Sequence, residues 1–213
     1  MKQFLILFSL FITLSAFAQD DKPRYFYDEN ELLISESIYK EKAKQGNYLK
    51  LDFKNDTCNV SLLVRRKNYG KLRSAQFDSL QKSLTDTTNA PKEKYTIIQY
   101  YPGADRCNNG RVHVYEDKHL ITTKGDLKRI NKDVGIKSYW VHKRDDRLDF
   151  TKEKRIDWVL DNNATVEELF FKLHYPCSSF VIIDNISKNY MSFFGEYHSL
   201  QIVNFLKELH KTD

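Results

Sequence analysis

Three cysteines, Cys58, Cys107 and Cys177, are the side chains of this 213-residue sequence with the widest chemical reach. A thiolate attacks disulfides, two thiols in an oxidising compartment close into a bridge, and sulfur with imidazole holds soft metals. An odd count leaves one thiol over unless it pairs with a second chain, and the spacing does not say which two join. No two cysteines stand at the Cys-x-x-Cys spacing of a redox dithiol. His174 precedes Cys177 by three residues, and with Cys107 and His113 it offers nitrogen and sulfur donors suited to copper or zinc. His119, His142, His198 and His210 show no partner pattern. Asp145, Asp146 and Asp149 lie among Lys143, Arg144 and Arg147, which is the composition of a solvated loop rather than of a calcium site. The sequence contains neither a Gly-rich phosphate loop nor a serine-nucleophile motif.

The chemistry of these thiols depends on their compartment. Lys2, the apolar run Phe4 to Leu14 and the small-x-small site Ala16-Phe17-Ala18 form a secretory signal, expected to span residues 1–18 and to be cut before Gln19. No cysteine stands at the cleavage point to take a lipid anchor. No later stretch has the eighteen or so apolar residues that crossing a bilayer requires. The expected setting is therefore periplasmic or secreted, in a bacterium. The formal net charge of +5 is small for the length, and its basic clusters are interleaved with acids. That pattern describes a solvated surface and argues against a nucleic-acid partner.

The elements that must position the cysteines fall into two parts. Residues 19–94 form an N-terminal elaboration of helix, β-hairpin, helix and connector. Ser35 is placed to cap a helix running to Lys44. The alternations Leu49, Leu51, Phe53 and Cys58, Val60, Leu62, Val64 flank the turn Asn55-Asp56, predicting a hairpin with Cys58 on an apolar face as a buried, inert thiol. Phe77, Leu80 and Leu84 mark a short amphipathic helix.

Residues 95–213 read differently. Tyr95 to Tyr101 is a β-branched and aromatic run closed by Pro102-Gly103, as expected of a strand covered on both faces. An irregular segment from Ala104 to Gly110 carries Asp105, Arg106 and Cys107. A helix is expected over Asp126 to Lys132 and a strand over Ile136 to Val141. Thr165 to Glu168 is a capping-box pattern leading into a helix with Leu169, Phe170 and Leu173. Ser178 to Asp184 reads as a buried strand and Asn189 to Phe194 as its hairpin partner, followed by Gly195. A terminal helix over Ser199 to His210 places Leu200, Val203, Leu206 and Leu209 on one face.

Strand, helix, strand, helix, hairpin, helix, with Tyr175-Pro176-Cys177 opening the third strand, resembles a thioredoxin-like domain. The resemblance implies an α/β fold with a mixed sheet flanked by helices. It implies a cis bond at Tyr175-Pro176 facing a redox loop at Tyr101 to Gly110, where the family carries a dithiol and this chain offers Cys107 alone. It brings Cys107 against Cys177, as a structural disulfide or as an exchanging pair whose Cys107 is activated by Arg106. It also implies a substrate groove, for which Tyr100, Tyr101, Arg106, Trp140, Tyr175 and His174 are the candidates, with core packing as the alternative for the aromatic rings.

The reading that results is an exported thioredoxin-like binding or scaffold module without dithiol turnover. It needs no cofactor, and its partner is an envelope protein or peptide. The alternatives are a thiol-disulfide exchange protein using Cys107 and Cys177, and a copper or zinc protein. The copper-delivering members of the family use two loop cysteines and a histidine, a set this chain lacks.

Overall fold

A computed structural model of the chain describes residues 22–86, 91–108, 123–129, 134–144 and 156–211. The expected signal segment, His113, His119 and the acidic bend at 145–149 lie outside the described residues. The chain divides into two compact units, Met1–Val64 and Arg65–Asp213.

The first unit is built on a sheet of order β2-β1-β4-β3, from β1 (Arg24–Tyr27), β2 (Leu33–Ile34), β3 (Tyr48–Lys54) and β4 (Asn59–Arg65). Helix α1 (Glu36–Lys44) begins at Ser35, whose Oγ accepts the Ile38 N–H at 3.4 Å, so the expected cap is present. The expected hairpin is present too. Asn55 Oδ1 accepts the backbone N–H groups of Thr57 at 2.9 Å and Cys58 at 2.7 Å, which fixes the turn between β3 and β4. The phase of β4 differs from expectation. Ser61 and Leu63 are its buried residues, while Cys58, Val60, Leu62 and Val64 are half-buried. Asn55 draws Cys58 into the turn, so the thiol is free and partly exposed rather than packed in a core.

The second unit carries a six-stranded sheet of order β5-β10-β9-β6-β7-β8. Its strands are β5 (Lys67–Lys71), β6 (Tyr95–Tyr101), β7 (Ile136–His142), β8 (Trp158–Leu160), β9 (Ser179–Asp184) and β10 (Asn189–Phe193). Its helices are α2 (Ser74–Thr85), α3 (Thr165–Phe170) and α4 (Ser199–Lys211), and residues 123–129 are also helical. β6, β7 and β8 run parallel, whereas β6 to β9, β9 to β10 and β10 to β5 pair antiparallel. The expected order of strand, helix, strand, helix, hairpin, helix is therefore observed, with β8 added after β7 and β5 added at the opposite edge. β5 and α2, placed by sequence in the N-terminal elaboration, belong to this unit.

Every residue of β6 and of β9 is buried, as expected of strands dominated by β-branched, aromatic and aliphatic residues. Tyr95, Ile97 and Tyr101 of β6 and Phe180 and Ile182 of β9 join Met191, Phe193, Ile202 and Leu206 in one core beneath α4. On the other face, Tyr100 stacks on Phe171 with ring centres 4.9 Å apart, and Tyr190 meets the edge of Phe170 at 5.0 Å. Helices thus cover both faces of a mixed sheet, the α/β arrangement that the resemblance implied. Two local details depart from the sequence reading. The buried stripe of α4 is Ile202, Val203 and Leu206 with Leu209 packed at its edge, and Leu200 is 64% exposed. The start of α3 is not a capping box. Ala164 takes the N-cap place, and Asp161 reaches over to accept the N–H groups of Val166 at 3.2 Å and Glu167 at 3.0 Å. A nearby carboxylate satisfies those orphan donors as well as a cap hydroxyl does.

Candidate functional site

The chain leaves β6 at Tyr101 and turns at once through Pro102 and Gly103, where φ is +108°. The next residues fold around Asp105. Its Oδ1 accepts the N–H groups of Cys107 and Asn108, both at 2.8 Å, and its own N–H donates to the Asn108 carbonyl at 2.8 Å. A short carboxylate side chain bonding the backbone two and three residues ahead is the standard way such a turn is closed. Asp105 therefore fixes where Cys107 points.

Cys107 points at Cys177. The two are joined by a disulfide with Cα atoms 5.0 Å apart, across a sequence separation of 70 residues. The bridge is not the sole link. Asp105 Oδ2 accepts the Cys177 N–H at 2.6 Å, and Asn108 Nδ2 donates to the Cys177 carbonyl. Both peptide groups of Cys177 are thus gripped by loop side chains. Burial pushes the Asp105 carboxyl up, but its bond to His174 and the N–H groups of Asn108, Cys177 and Cys107 outweigh this. Its pKa lies below the ordinary carboxylate range.

The Tyr175-Pro176 bond is trans, since no described peptide bond is cis. The resemblance had implied cis. The reversal comes one residue later, at Cys177, where φ is +74° and the Ser178 N–H donates to the Pro176 carbonyl at 3.1 Å. This is a γ-turn, and a non-glycine residue in that region costs on the order of 1–3 kcal/mol. Asp105, Asn108 and the bridge hold it there.

The other expected site residues separate by burial. Tyr100, Tyr101, Trp140 and Tyr175 are all buried. Their rings are engaged in packing: Tyr175 lies flat on Phe194 at 4.2 Å, and Tyr101 meets the edge of Trp158 at 5.0 Å. Burial raises the Tyr175 hydroxyl to about 12. Arg106 and His174 are the exposed members, and His174 Nε2 stands 3.5 Å from Asp105 Oδ2. An activating role for Arg106 on a Cys107 thiolate has no object while the sulfur is bridged. Asp105 and Asn108 are the important residues that the sequence reading passed over. The signal was the Asp-x-Cys-Asn spacing, an ordinary turn pattern whose reach to Cys177 only tertiary structure discloses.

A groove of about 610 Å³ lies at the other end of the same sheet, lined by Tyr69, Tyr95, Asp184, Tyr190, Phe205 and Glu208 among others. It shares no residue with the bridge. Asp105 and the two sulfurs are a compact donor group, each within 4.8 Å of the others.

No protein-family model matches the chain, and no curated protein matches it. Among solved structures, the chain is similar to the exposed lipoprotein thioredoxin of Streptococcus pneumoniae, at 11% identity and a TM-score of 0.37, covering 75% of this chain and 99% of that one.

Proposed function

We propose that the protein is an exported binding module of thioredoxin-like architecture that does not turn over a dithiol, and that it engages an envelope protein or peptide. The observation that carries this reading is the Cys107–Cys177 bridge at the place where a redox dithiol would sit, with Cys177 fully buried. A disulfide of this kind persists in oxidising compartments, which agrees with a secretory signal at residues 1–18. The exposed groups beside the bridge, Arg106 and His174, are the surface such a partner would meet. No helix among the described residues is long and apolar enough to cross a membrane.

One observation favours a second reading, thiol-disulfide exchange through Cys107 and Cys177. Cys107 is partly exposed while Cys177 is buried, so an external thiolate has one sulfur to attack. Free-thiol titration of the mature protein, followed by an insulin-reduction assay on wild type and Cys107→Ser, separates the two. One titratable thiol per chain and no turnover supports the module. Turnover that Cys107→Ser abolishes replaces it with the exchange reading.

A further inference from the structure

The loop holding Cys107 is fastened to Cys177 by more than the bridge, and this gives the reduced protein a property of its own. In the bridged protein the Cys177 N–H donates to Asp105 Oδ2 and the Cys177 carbonyl accepts a hydrogen bond from Asn108 Nδ2, two bonds that involve neither sulfur. These bonds give the loop a hold on Cys177 that opening the bridge does not itself remove, and in the bridged protein the two sulfurs and the carboxylate lie within 4.8 Å of one another. A tetrahedral ion with bonds of about 2.0–2.3 Å sets its donors roughly 3.3–3.8 Å apart. His174 Nε2 is 3.5 Å from Asp105 Oδ2, already at that spacing, and 49% exposure leaves its side chain room to turn toward the sulfurs.

We infer that reduction converts this staple into a site for a thiophilic divalent cation such as zinc, held by the Cys107 and Cys177 thiolates, the Asp105 carboxylate and the His174 imidazole. Two thiolates, one nitrogen and one oxygen suit zinc or cobalt and suit magnesium or calcium poorly. Three backbone N–H bonds occupy three of the roughly four acceptor positions of Asp105, and the fourth, which His174 now meets, becomes available to the metal when His174 turns to ligate it. The chemistry balances with a named co-reactant. A phosphine and water, or a dithiol, supply two electrons and two protons to open the bridge, leaving phosphine oxide or a new disulfide. Metal binding then releases the two thiol protons. The site belongs to the reduced protein, so it stands or falls apart from the module reading, which concerns the bridged form.

The full chain carrying Cys58→Ser, reduced with a phosphine and freed of reductant under anaerobic conditions, is titrated with Co²⁺ and then Zn²⁺ while its absorption is recorded. The expected result is one equivalent of Co²⁺ with thiolate-to-cobalt charge-transfer absorption and the visible bands of tetrahedral geometry, displaced by Zn²⁺ and absent from the bridged protein. His174→Ala, at a half-exposed position, and Asp105→Asn each weaken zinc by at least about tenfold, since even outer-shell partners are worth that much. Circular dichroism accompanies each titration. The inference is overturned if the reduced protein shows no stoichiometric charge-transfer band, whether folded or unfolded. It is overturned equally if His174→Ala, folded by circular dichroism, binds zinc with undiminished affinity.

Discussion

The two ends of the central sheet carry the same turn and use it differently. At the far end, Asp184 Oδ1 accepts the N–H groups of Ile186 and Ser187 at 2.8 and 2.9 Å, closing the β9 to β10 hairpin. At the near end, Asp105 Oδ1 does the same for Cys107 and Asn108. The first carboxylate serves its own hairpin. The second sends its other oxygen to Cys177, 72 residues away, and to His174. A turn motif read from sequence is therefore a local statement. Whether it becomes part of a site depends on what the fold carries past its free oxygen.

Cutting the near end should do the most damage. Cys107→Ser opens a 70-residue loop, and the chain-entropy model puts the loss at about 4 kcal/mol, or roughly 10 °C in Tm for a chain of this size. A thermal melt of mature wild type against the variant measures it, and a shift of a degree or two would mean that the hydrogen bonds alone hold the loop.

Charge is the next lever. Asp105→Asn turns an NH₂ toward one of the N–H donors it now satisfies. The expected loss is about 2 kcal/mol, the usual worth of a hydrogen bond to a charged group. Asp184→Asn is the matched control. An asparagine carbonyl closes a local turn nearly as well as a carboxylate, so the expected change is below about 1 kcal/mol. Equal urea midpoints for the two variants would erase the distinction drawn between the ends.

The smallest expected effect is on pH dependence. Asp105 has a depressed pKa in the folded chain, so the stability it contributes is fully present above its unfolded value of about 4 and is lost as pH falls through the folded value. Wild type should therefore lose stability on acidification below about pH 4 more steeply than Asp105→Asn, read as the slope of the urea midpoint against pH. Parallel slopes would remove Asp105 from the acid response.

The sequence disclosed the inner strands and hid what surrounds them. Tyr95 to Tyr101 and Ser179 to Asp184 were legible because a strand buried on both faces is dominated by β-branched, aromatic and aliphatic residues, with few polar ones such as Thr96 and Gln99. Gly195 marked a real bend, with φ of +76° and its N–H on Ser179 Oγ. β5 escaped notice because Lys-Asn-Tyr-Gly-Lys has no alternation. It pairs because Tyr190 of β10 lies over Gly70, where an added Cβ would collide with the ring. β8 escaped because three residues show no period. The meeting of Cys107 with Cys177 came from resemblance, not from spacing. The trans proline and the γ-turn were illegible because a residue's positive φ is set by tertiary partners, here Asp105 and Asn108.

The position of the bridge on the ladder has a consequence for how the sheet breathes. β6 and β9 are already neighbours, paired from Tyr95 with Asp184 to Tyr100 with Ser179. The sulfur link lies just beyond the Tyr100 end, like a clasp at one end of a zip. Fraying of this pair must start from the end near Tyr95 and Asp184, beside the groove, so the two ends should exchange their amide hydrogens at unequal rates.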